Sequence, residues 1–107
     1  MKGLLFVLGL LVLVSPTAMA EEGDPQAGLA FAKEVCSPCH AIASGESPLF
    51  EATPFEDVAN NPGMTGTALA VWLQTSHPTM PNYILEKQDM LNVVAYILSL
   101  KHDNQAH

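Results

Sequence analysis

The chain has two cysteines, three residues apart, with a histidine directly after the second: Cys36-Ser37-Pro38-Cys39-His40. Two thiols on one helical turn can reach the two vinyl groups along one edge of a porphyrin. The histidine that follows is then held against the iron, where a neutral imidazole nitrogen makes a strong axial ligand. Two other chemistries use cysteine pairs. A thioredoxin-like redox pair sits beside a βαβ pattern, which this sequence lacks. A zinc site needs four ligands, and there is no second Cys/His pair at suitable spacing. The motif therefore predicts one haem, bound through two thioethers at Cys36 and Cys39, with His40 on the iron.

A six-coordinate iron needs one more ligand, and the candidates are Met64, Met80, Met90, His77, His102 and His107. Met90 falls inside a helical apolar pattern and reads as core. His102 and His107 belong to a polar tail from Lys101 onward, expected to fray. Met64 follows Pro62-Gly63 before a helix start, where methionine serves as a flexible filler. The segment His77-Pro78-Thr79-Met80-Pro81-Asn82 remains. Met80 is the preferred ligand, because two prolines stiffen the loop that would carry its thioether to the open haem face. His77 is the rival, with Met64 and an open site as the remaining alternatives.

These residues need elements to position them. Asp24 and Pro25 open a helix over Pro25 to Val35 that leads into the motif, with Gly28, Phe31, Ala32 and Val35 on its apolar face. From Ala41 to Pro62 three prolines and many small polar residues predict a long wrapping loop, with a short turn of helix around Glu56 to Ala59. A helix from Gly66 to Thr75, capped by Thr65, turns Leu69, Trp72 and Leu73 inward. A buried Trp72 indole would need a partner, for which a haem propionate and simple core packing are equal candidates. The last helix runs from Lys87 to Leu100 and is apolar around much of its girth, as a largely buried helix is. Tyr96 on that helix could cross the first helix at Gly28. The fold class is all-α: three main helices and loops wrapped around one covalent haem.

The first twenty residues stand apart. Lys2 precedes an apolar run from Leu4 to Val14, and Ala18-Met19-Ala20 supplies a small-x-small cleavage pattern. Residues 1–20 are expected to be a cleaved signal peptide, leaving residues 21–107 as one domain in the periplasm, without membrane insertion after cleavage and as a monomer. Lys2 leaves with the leader, so three lysines face eleven carboxylates, a formal charge of −8. Nucleic acid and anionic membranes are poor partners for such a chain; a basic protein surface is the natural complement, and solubility alone is an equal reading of the charge. A domain this small usually needs a staple, which a covalent haem supplies.

Taken in order, Gly28 and Phe31, Cys36-x-x-Cys39-His40, Pro48, Met80-Pro81 and a terminal helix with Tyr96 resemble the class I c-type cytochromes, small monohaem bacterial electron carriers. The resemblance covers the whole of residues 21–107. It implies crossed first and last helices, His40 and Met80 as axial ligands, and a Pro48 carbonyl that fixes the tautomer of the haem histidine. It also implies one-electron transfer without substrate turnover, with redox proteins as partners and a histidine–methionine pair favouring ferrous iron. Two features depart from the family pattern. The lysine-rich ring of mitochondrial relatives cannot form here, and Glu86 stands where a better helix cap is usual. A gas-binding or sensory haem protein and a cytochrome subunit of a larger oxidoreductase are the alternative readings. Peroxidase chemistry is disfavoured because no distal acid–base pair is evident.

Overall fold

The structure is a computed structural model describing residues 3–5, 7–12, 22–75 and 79–102. Among the described residues there are four helices and no strand: α1 (Pro25–Val35), α2 (Phe55–Asn60), α3 (Gly66–Gln74) and α4 (Lys87–Ser99). The Ala18-Met19-Ala20 pattern, His77 and His107 lie outside the described residues.

Side-chain capping starts α1 and α3. The Asp24 carboxylate accepts the Gln26 N–H at 3.0 Å with Pro25 in the first turn, and the Thr65 hydroxyl accepts the Ala68 N–H at 3.1 Å. Glu86 caps α4 without any side-chain bond. Burial of Val93, Val94, Tyr96 and Ile97 carries that helix instead, as tertiary packing generally does.

The main helix pairing is α1 against α4, with α2 and α3 also packed on α4. The crossing depends on Gly28. A Cβ there would lie 1.9 Å from the Asn92 carbonyl oxygen and 2.9 Å from the Tyr96 Cβ, so only glycine lets the two backbones approach. Asn92, a buried polar residue, completes the joint. Its Oδ1 accepts the Asp24 N–H at 2.8 Å and the Gln88 Nε2–H at 3.0 Å, which satisfies it inside the interface. Ala32, Phe55, Ala59, Leu69 and Val93 fill the shared core, with Met64 and Met90 packed against it.

Two expectations are corrected. Of the expected inward stripe on α3, Leu69 is buried but Trp72 is 54% exposed, so the indole is not a core group. The α3 axis puts Leu69 against α4 and leaves Trp72 at the margin of a cavity. The polar tail does not fray at its start. Lys101 Nζ donates to the Met64 carbonyl at 2.6 Å, and the His102 N–H donates to Asn60 Oδ1 at 2.9 Å.

Candidate haem site

After α1 the chain tightens into a turn in which Cys39 and His40 both donate N–H groups to the Cys36 carbonyl, at 3.1 and 2.9 Å. That turn puts the two cysteines and the histidine on one wall. The following loop folds back over it through backbone bonds. The Leu49 N–H reaches the Cys39 carbonyl at 3.1 Å, and the Phe55 N–H reaches the Ala41 carbonyl at 2.8 Å. Ser47 Oγ accepts the Ala41 N–H at 2.9 Å, and Tyr96 Oη donates to the Ile42 carbonyl at 2.5 Å.

Between the Leu49 and Phe55 ties the chain crosses the imidazole. His40 Nδ1 lies 2.7 Å from the Thr53 carbonyl oxygen. A carbonyl can only accept, so Nδ1 carries the proton and Nε2 keeps the lone pair a metal requires. The Phe55 ring, buried in the core, lies 5.2 Å from the imidazole at 44° and limits its tilt. The tautomer-fixing carbonyl expected of Pro48 therefore belongs to Thr53. Pro48 precedes the first tie, is exposed, and is not on the cavity wall. Neither Thr53 nor Phe55 has a local sequence signature for this role, because it depends on where the loop returns.

Cys36, Cys39, His40 and Met80 all line one cavity of about 520 Å³, within the ~300–1,000 Å³ typical of cofactor sites. Its wall is mostly apolar: Val35, Phe55, Val58, Leu69 and Ile97 contribute, with Met64 on the same surface. Neither cysteine is in a disulfide, and before attachment of a haem burial pushes the Cys36 thiol up to about 11. Met80 follows Thr79, whose φ of +71° is rare for a β-branched residue. The loop thus bends sharply just before delivering the thioether to the cavity. Trp72 lines the cavity as well, from its exposed edge. His102 is taken up elsewhere, its Nε2 3.0 Å from Glu56 Oε1.

Two cysteines outside any disulfide, an imidazole in the right tautomer and a thioether lining one apolar cavity fit a haem. An all-α frame that gathers these groups beside a Cys-x-x-Cys-His turn defines a covalent haem-attachment domain. No family model matches the chain, and no solved structure matches it. Over 102 residues it is 31% identical to the cytochrome c-552 of Bradyrhizobium diazoefficiens, an alignment covering 94% of this chain and 95% of the relative. The chain belongs to the c-type cytochrome family. It carries covalently bound haem c and transfers electrons to and from redox partner proteins, without turning over a substrate of its own.

Proposed function

We propose that this protein is a periplasmic, monomeric one-electron carrier whose haem is attached at Cys36 and Cys39 and ligated by His40 and Met80. Residues 1–20 act as its cleaved export signal, and its partners present a basic docking surface. The convergence of the four donor side chains on one cavity carries this reading. Among the described residues, no helix is long and apolar enough to cross a membrane. His40 holds its Nδ1 proton on Thr53 and offers Nε2. The apolar wall and the rigid approach through Thr79 and Pro81 hold the Met80 thioether in place, exclude water and disfavour the extra charge of ferric iron. The bound haem supplies the redox chemistry. With His40 and Met80 both bound, the iron would have no open site for a gas, so a gas-binding role would require Met80 to be displaced.

The test is the visible spectrum of the haem-loaded protein, oxidised and reduced, with and without carbon monoxide. Met80 ligation predicts a weak far-red sulfur-to-iron band in the oxidised form and indifference to carbon monoxide. Both should be lost in Met80→Ala and kept in Met64→Leu. Avid carbon monoxide binding by the unaltered protein would refute the carrier reading in favour of a gas-binding one.

A further inference from the structure

Charge is segregated along this chain. Between Lys33 and Lys87 there is no lysine or arginine, while Glu34, Glu46, Glu51, Glu56, Asp57 and Glu86 all fall in that interval. Apart from Ile97, every described residue lining the haem cavity comes from the same lysine-free stretch. Glu51 and Asp57 are themselves on the cavity wall. None of the three lysines beyond the leader lines the cavity: Lys33 is in the last turn of α1, Lys87 starts α4, and the Lys101 ammonium is held on the Met64 carbonyl. Among the described residues, the carboxylates on the cavity wall, Glu51 and Asp57, have no lysine or arginine beside them on that wall.

The same surroundings expose large apolar side chains. Phe50 sits between Leu49 and Glu51, which both line the cavity, yet Phe50 is 98% exposed and off the cavity wall. Ile84 follows Tyr83, which also lines the cavity, and is 96% exposed. A haem in the cavity does not account for either side chain. Large apolar groups left in water beside a functional opening mark a surface that is covered in use. Anchors of this kind inside a charged rim are how transient complexes gain register without high affinity.

We infer that Phe50 and Ile84 are the apolar anchors of the electron-transfer docking face, and that the face takes a protein surface with an apolar centre ringed by lysine and arginine. This rests on the carrier reading above and assigns its partner contact to particular residues. An acidic or neutral partner face would leave Glu51 and Asp57 uncompensated beside the contact, so the charge commits the occupant to the cationic kind.

The experiment uses the haem-loaded protein and two gold-supported monolayers, one of mixed methyl- and ammonium-terminated thiols and one of mixed methyl- and carboxylate-terminated thiols. Mass uptake at low salt reads docking independently of electron flow. The unaltered protein should bind the methyl/ammonium surface and be released by salt. Phe50→Ser with Ile84→Ser should weaken binding about tenfold, ~1.4 kcal/mol, while the visible spectrum and solution potential stay unchanged. Equal uptake by variant and parent would overturn the assignment of the anchors. Equal uptake of the parent on the carboxylate surface would overturn the cationic partner. Should the pair of changes disturb folding, each single change gives the same comparison with a smaller effect. Absence of a reversible solution wave would count against the carrier reading alone, since mass uptake still reports on the face.

Discussion

Tyr96 on α4 donates its hydroxyl to the Ile42 carbonyl at 2.5 Å, across 54 residues of sequence. The bond joins the α1–α4 crossing to the first residues of the loop that covers the histidine. Tyr96 is thus a core residue on its ring and a loop anchor at its tip. Ile42 follows Ala41, whose own carbonyl holds Phe55, so the anchor and the imidazole wall share one stretch of backbone.

Tyr96→Phe should cost about 1–3 kcal/mol, because the Ile42 carbonyl loses its donor while the ring packing is kept. The cost should depend on pH. Burial raises the Tyr96 hydroxyl above its ordinary value of 10.0. Only the protonated form can donate, so its contribution is complete below about 10 and is lost as pH rises through the higher folded value. Denaturant midpoints at neutral and strongly alkaline pH check this: the unaltered protein should lose more stability over that interval than Tyr96→Phe does.

The parts of the fold that the sequence revealed are those set by local chemistry. Asp24-Pro25 and Thr65 announce their helices because a cap is a bond within three residues. Cys36-x-x-Cys39-His40 marks its cavity wall because its three side chains are close in sequence. Gly28 was legible as a crossing point, since a missing side chain has few other uses inside an apolar face. What escaped was long-range. Thr53 takes the place expected of Pro48 because loop closure, decided by the Leu49 and Phe55 ties, determines which carbonyl meets His40. Asn92 looks like any polar residue on a helix until α1 brings the Asp24 N–H to it. Trp72 lines the cavity yet is 54% exposed, because α3 is apolar on more than one side and tertiary packing decides its rotation.

On the proposed ligation by His40, Phe55 should act on the iron through the imidazole. Replacing it with Leu keeps an apolar, near-isosteric group, with a stability cost of about 1 kcal/mol, but removes the ring 5.2 Å from the imidazole. The spread of haem-methyl proton shifts in the oxidised protein should change, since it follows the orientation of the axial imidazole plane. Val93→Ala is the control, as Val93 is 1% exposed and does not itself line the cavity. It should lower stability and leave the shifts in place. Identical shifts in Phe55→Leu and the unaltered protein would reduce Phe55 to a packing residue.

Thr79→Asn should stabilise the protein. Threonine at a φ of +71° pays a steric cost that asparagine largely avoids. A gain of ~0.5–1 kcal/mol is expected, seen as a higher thermal midpoint, with the sulfur-to-iron band retained. A lower midpoint would show that the Thr79 side chain contributes more than its backbone costs.

Asn60 should matter more to the C-terminal end of the domain than the ion pair beside it. Its Nδ2 donates to the Leu100 carbonyl at 3.1 Å and to the Glu56 carbonyl at 2.8 Å, while its Oδ1 accepts the His102 N–H at 2.9 Å. One amide thereby ties α2 to the residues just past α4. The neighbouring His102–Glu56 contact at 3.0 Å is 58% and 38% exposed on its two sides, and exposed pairs contribute less than ~1 kcal/mol. Asn60→Ala should therefore cost about 1–3 kcal/mol and speed hydrogen exchange at the His102 amide. His102→Ala should cost under ~1 kcal/mol and leave exchange at Leu100 slow. The opposite ranking would mean that the ion pair, rather than the amide, holds the end of the chain.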